Sequence, residues 1–268
     1  MAASRAAASL AALASLVARP AAAQTDYYNT DAGRPITVED AYPVERRALE
    51  LQLAPLRLER ARGGTYHWGV EPEVAVGILP RTQLEVGLPF AFVERGAQRA
   101  SGLAGVELSV LHNLNVETAL PALAVAADVL VPAGGLGPER AYPSVKGIAT
   151  RTLPWARFHL NGQYTFGTES DAGTDAGTAE LSRWQAGVAV DRTLPLRSLL
   201  LTGEVVARRP LRADDAAVEW NSGAGARYQL SPRVAADAGA GYRLTGDDRG
   251  WYATVGAAVV VGMPWRTR

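Results

Sequence analysis

His67, His112 and His159 are the three histidines of the chain, and cysteine is absent. A thiolate nucleophile, a disulfide framework and a cysteine-ligated metal are therefore excluded. Hydrolysis would need a serine held by a histidine, and Ser109 stands three residues before His112. On a strand, residues an odd number apart point to opposite faces, so these two would not meet. His159 has neither serine nor acid two positions away, and His67 stands within Thr65-Tyr66-His67-Trp68. Three dispersed histidines make no metal-ligand set. Gly134-Gly135-Leu136-Gly137 lacks the strand-to-helix setting of a phosphate cradle. These residue types point to no enzyme and to no cofactor.

What remains is a population of charged and amide side chains at alternate positions. Arg157, His159, Asn161 and Gln163 alternate with Phe158, Leu160, Tyr164 and Phe166. Strand side chains alternate between faces, so this pattern separates a polar face from an apolar one, which a helix would mix. The same grammar sets Glu219, Asn221, Arg227 and Gln229 against Val218, Trp220, Tyr228 and Leu230, and Asp237 and Arg243 against Tyr242 and Leu244. Twelve such segments run from Leu49 onward, separated by Gly, Pro, Asp and Asn. Their connections alternate between long and short. The longest, Gly167 to Glu180, carries an Asp-Ala-Gly-Thr repeat at 171 and 175, read as a solvated acidic tip.

The start of the chain places Arg5 before the apolar run Ala6 to Ala18, with Ala21, Ala22 and Ala23 as a small-residue cleavage site. That is an export signal over residues 1–23. Its removal takes Arg5 and Arg19, leaving 25 cations against 27 anions. A near-neutral chain whose only lysine is Lys146 has no basic stripe for nucleic acid. Residues 24–45 are polar and aperiodic, an irregular leader or plug. After the signal, no apolar run approaches the length of about 20 needed by a membrane helix. Only a closed β-barrel crosses lipid without helices, because every backbone amide must find its partner inside the protein.

The expected fold is all-β: an antiparallel transmembrane barrel of about twelve strands over residues 46–268, with its long connections outside the cell and its short ones in the periplasm. Phe166, Trp184, Trp220, Tyr228, Tyr242 and Tyr252 near segment ends suit aromatic girdles. The polar face would line a narrow lumen through Arg157, His159, Asn161, Gln163, Glu204, Arg208, Glu219, Arg227, Asp237 and Arg243. Opposed arginine and carboxylate rows would pair across it, and Asp31, Arg34, Glu39 and Asp40 of the leader would pair with lumen charges if it folds inward. A soluble two-layer β-protein shares the alternation but leaves sheet edges open.

The stretches Arg34 to Tyr42 (RPITVEDAY), Leu49 to Pro55 (LELQLAP), Gly69 to Glu73 (GVEPE), Leu79 to Pro89 (LPRTQLEVGLP) and Gly102 to Leu108 (GLAGVEL) resemble the outer-membrane transporters of the meta-pathway of phenol degradation family. The resemblance implies a Gram-negative outer-membrane channel for small solutes, aromatic or hydrophobic ones among them. The alternative is a non-conducting structural or ligand-binding barrel. Partners would be outer-membrane lipid and lipopolysaccharide, the assembly machinery and a small solute. Barrels of this kind commonly finish on an aromatic residue; this chain ends Met263 to Arg268, leaving Trp265 for that part. With Leu160 toward acyl chains and Asn161 toward the lumen, Leu160→Arg should cost about 2 to 4 kcal/mol and Asn161→Arg much less.

Overall fold

The computed structural model describes residues 29–61, 66–95, 98–167, 181–211, 217–246 and 249–261. The signal segment, the repeat at 171 and 175, and Trp265 lie outside the described residues. Strand segments follow in the order β1 (Leu49–Ala61), β2 (Tyr66–Val70), β3 (Glu73–Leu79), β4 (Thr82–Gly87), β5 (Phe90–Arg95), β6 (Gln98–Leu103), β7 (Val106–Asn115) and β8 (Ala122–Val131). They continue with β9 (Tyr142–Thr152), β10 (Arg157–Thr165), β11 (Ser182–Leu194), β12 (Leu199–Pro210), β13 (Glu219–Ser231), β14 (Val234–Arg243) and β15 (Gly250–Val260). All neighbours are antiparallel, and β15 returns to pair with β1 from Glu50 to Ala61, closing the sheet.

Twelve strands circle the barrel, since three of them are built from two segments each. One half of β1 pairs with β2 and the other with β3; β5 continues β4, and β7 continues β6. The three breaks lie side by side. Pro72 and Pro89 have no N–H to give a ladder. Gly105 adopts φ +121°, and a Cβ there would fall 2.6 Å from Leu130 Cδ1, so only glycine fits. Bonds from Leu88 N to Pro72 O (3.0 Å) and from Ala104 N to Pro89 O (2.7 Å) carry the wall across the interruption. The alternation of long and short connections has an exception, the short connection after β5, which runs to Arg95 before β6 begins at Gln98.

The apolar rows face outward. Leu160 is 56% exposed and Val188 54%, whereas His159 between Phe158 and Leu160 is 1% exposed. Tyr252 departs from the girdle expected for it. It sits in the inward row of β15 with Thr254 and Ala258, at 6% exposure, while Trp251 and Val255 point out. Nor is the inner face uniformly polar: Leu111, Ala122, Ala124, Ala126 and Ile148 form an apolar patch inside the barrel.

That patch is covered by residues 29–46, which lie in the lumen. Ala41 packs on the Leu111–Ile148 patch, and Ile36 and Val38 pack against Ala189 and Val206. Inward glycines make the space: a Cβ on Gly187 would fall 2.6 Å from Val38 Cγ2, and one on Gly225 would fall 2.6 Å from Pro35 Cβ. Asn161 is engaged with this segment, so an arginine there would expel it. The separation expected between Leu160→Arg and Asn161→Arg therefore does not test the faces, and Gln163 serves better. Leu160→Arg should lose about 2 to 4 kcal/mol in urea unfolding from vesicles, and Gln163→Arg less than half of that. Equal losses would contradict the assigned faces.

Candidate functional site: the occupied lumen

The internal segment touches the wall strand by strand, from β13 round to β3, before entering β1. Its first stop is a charged knot. Arg227 donates to Asp31 Oδ2 (2.9 Å) and to the carbonyl oxygens of Asn29 and Arg34. Arg34, wholly buried, faces Asp31 at 2.7 Å, Asp237 at 3.4 Å and Glu50 at 3.8 Å. Thr254 Oγ1 donates to Pro35 O at 3.1 Å. Next, Glu204 Oε2 accepts the N–H groups of Thr37 and Val38, both at 2.9 Å. Asn161 grips Glu39 twice, accepting its N–H and donating to its carbonyl, each at 2.9 Å. Lys146 pairs with the Glu39 carboxylate at 2.5 Å. Ala41 N donates to Thr150 Oγ1, Asn113 Nδ2 to Ala41 O and Val44 N to Gln83 Oε1.

Most of these contacts join a wall side chain to segment backbone. An irregular chain buried in a barrel has no ladder to satisfy its amides, so side chains on the wall must do it. These side-chain-to-backbone contacts are short and directional, and none belongs to the barrel's own ladders.

All ten side chains expected at the lumen lie on the inward face. His159, Asn161, Glu204, Arg208, Glu219, Arg227 and Asp237 are buried, and Arg157, Gln163 and Arg243 are partly so. Their pairing differs from the expected rows across the pore. Arg157 holds Asp191 on the next strand at 2.7 and 2.9 Å, Arg208 holds Glu219 on the next at 3.0 Å, and Arg227 faces Asp237 on the next at 3.7 Å. Arg243 reaches Glu59 two strands away at 3.5 Å. The segment occupies the middle, and the partners a charge can reach lie on the wall beside it or on the segment itself. His159 is part of such a chain: Thr150 Oγ1 lies 3.0 Å from its Nδ1 and Asp191 Oδ2 lies 2.8 Å from its Nε2. Gln163 donates to Ser144 Oγ at 3.1 Å.

Reasoning from alternation missed Tyr252, Thr150, Asp191, Asn113 and Lys146. Tyr252 donates to Glu204 Oε1 at 3.3 Å, and the Arg57 guanidinium sits 4.3 Å above its ring. Ser109 donates inward to Asp128 at 2.6 Å, whereas His112 contacts Thr82 Oγ1 at 2.9 Å on the other face of β7. No group of three or more His, Asp or Glu able to hold a metal occurs among the described residues.

The segment itself does not span the membrane, and its acids feel the lumen. Burial pushes the Asp40 carboxyl up to about 6, against the opposing pull of Arg157 and His159. For Asp31 burial also acts upward, but Arg227 and Arg34 outweigh it and hold the group below its usual range.

A family model described as "Putative MetA-pathway of phenol degradation" matches residues 74–260. The chain belongs to this family. No curated protein sequence matches it. Among solved structures, an outer-membrane channel from Pseudomonas putida F1 superposes with a TM-score of 0.59 at 14% identity, covering 87% of this chain and 100% of that one. The NanC porin superposes at 0.53 with 9% identity, covering 79% of this chain and 98% of its own. The KdgM porin, solved with disordered oligogalacturonate, does so at 0.52 with 11% identity, covering 78% and 98%. At these identities the likeness is one of fold: this member of the family is built as bacterial outer-membrane channels are.

Two expectations follow for the segment. Asn161→Ala leaves both polar groups of the Glu39 backbone unpartnered, a loss of about 1 to 3 kcal/mol. In a Val38→Cys background, otherwise free of cysteine, a hydrophilic maleimide should then label about tenfold faster; an unchanged rate would contradict the contact. Asp40 has a higher pKa docked than free, so protonation favours docking, an effect complete below about 4 and lost as pH rises through about 6. Labelling at position 38, divided at each pH by the rate for the same thiol in urea-unfolded protein, should therefore be slower at pH 5 than at pH 7.5, and Asp40→Asn should flatten that normalised dependence.

Proposed function

We propose that the protein is a channel of the Gram-negative outer membrane that passes small solutes, with residues 29–46 acting as a plug inserted from the periplasmic end. The observation that carries this reading is the manner of attachment. The closed ladder of the wall is complete without the segment, so its release breaks side-chain contacts and leaves the barrel intact. Both β1 and β15 reach the end with the short connections, which is the periplasmic end of outer-membrane barrels. The ten inward residues named above, with Lys146 and Asp191, set the width and charge of the path once the plug moves. Outer-membrane lipid, lipopolysaccharide and the assembly machinery are the partners such a protein would meet.

Purified full-length protein in planar bilayers tests the reading. The wild type should show small, infrequent steps, Asn161→Ala should raise the open fraction about tenfold by the same loss of contacts, and Glu219→Ala or Arg157→Ala should change step size or ion preference. Silence in the wild type and in Asn161→Ala alike would favour the non-conducting barrel and overturn the channel.

A further inference from the structure

In the half of the lumen nearer the long connections, a cavity of about 310 Å³ lies between the internal segment and the inner faces of β2 and β5. Gly33 of the segment bounds it on one side, and Gly69, Ala91, Val93, Leu130 and Leu181 supply an apolar wall. Its charged lining consists of Arg57, Glu59, Glu71 and Glu107, with His67 beside them. Two of these are already matched. Arg57 holds Glu59 at 2.6 Å, and Glu59 also faces Arg243.

Glu71 and Glu107 are different. Neither has an arginine or lysine within ion-pair distance among the described residues, and Glu71 Oε1 is shielded from solvent without any hydrogen-bond partner. Their carboxyl groups are within hydrogen-bonding reach of each other. Glu73 converges on the same point: a Cβ placed on Gly87 would lie 3.1 Å from Glu71 Oε1 and 3.4 Å from both Glu107 Cβ and Glu73 Cγ. Two carboxyl groups this close share a proton in the empty cavity, and an ammonium group can take the place of that proton, while the apolar wall opposite leaves a surface for hydrocarbon.

We infer that this cavity binds small amphipathic cations, an ammonium group carried on an aromatic or short aliphatic body, with the ammonium between Glu71 and Glu107 and the body against Ala91, Val93 and Leu130. As a statement about solutes carried, it rests on the channel reading; as a binding site, it stands without it.

Calorimetric titration of the full-length protein in detergent with benzylammonium, benzyl alcohol and benzoate, which share one ring and differ in charge, tests the site. Benzylammonium should bind at least about tenfold more tightly than the other two, the scale of one charge-assisted hydrogen bond. Glu71→Gln and Glu107→Gln should each remove most of that preference while keeping the heat-modifiable migration of a folded barrel. Equal affinity for the three probes, no binding of benzylammonium, or the same preference in both folded variants would overturn the proposal. A barrel silent in bilayers that still shows the glutamate-dependent preference would sustain the site and sink the channel. A conducting barrel indifferent to probe charge would do the reverse.

Discussion

Closure of β15 onto β1 is the constraint from which the rest of the molecule follows. In hydrocarbon, an unpaired strand edge would leave a row of amides with no partner, at several kcal/mol each. Eleven paired positions from Glu50↔Val260 to Ala61↔Gly250 remove that edge, with one irregularity between Leu53 and Pro55. The irregularity has a local consequence. It shifts the alternation within β1, so that Leu53 and Leu56 both point to lipid while Gln52 and Arg57 lie on the inner side. An even number of strands also brings the two ends of the sheet to one rim. A chain that enters β1 from that rim has the lumen immediately at hand, and the internal segment uses it.

The interior then has to be filled or hydrated, and the sequence divides it unevenly. Along β11 to β14 the inward rows mix glycine with charge, and the bulk missing from the wall at Gly187 and Gly225 is supplied by Val38 and Pro35, with Ile36 packed beside them on Ala189 and Val206. Along β8 the inward alanines Ala122, Ala124 and Ala126 do the same for Ala41. Wall and segment are therefore complementary in volume, yet their backbones meet mainly at the rim, where Arg47 N donates to Gly77 O. A unit joined chiefly through side-chain contacts opens at a lower free energy than the sheet around it, because local opening energies track the contacts broken.

The strands were readable because a period of two is unambiguous when one face meets lipid and the other meets charge. Leu160 beside Asn161, and Trp220 beside Glu219 and Asn221, fix their faces by chemistry alone. Tyr252 was misread because its neighbours Trp251, Ala253 and Thr254 offer no such contrast, and only the parity of the whole strand turns it inward. The breaks at Pro72, Pro89 and Gly105 escaped notice since the alternation resumes beyond each one. The charges of the internal segment were visible in Asp31, Arg34, Glu39 and Asp40, but an aperiodic chain carries no signal of its path. The pairing of lumen charges was misjudged for the same reason: it depends on what occupies the space between them.

The charge inside the barrel is unevenly distributed around its circumference. From β10 round to β14 three inward arginines stand beside carboxylates, Arg157 by Asp191, Arg208 by Glu219 and Arg227 by Asp237, so the fields of these pairs largely cancel within a few ångströms. On β3, β4 and β7 the inward row includes Glu73, Glu85 and Glu107, and the nearby cation Lys146 is committed to Glu39 of the segment. A lumen walled by low-dielectric protein and lipid focuses such an imbalance on whatever enters. Because Lys146 is neutralised by the segment itself, withdrawal of the segment would return a positive charge to the lumen beside the acidic wall. Segment position and lumen field are thus coupled through one ion pair, and in the proposed channel a charged solute that senses the field would also bias the segment.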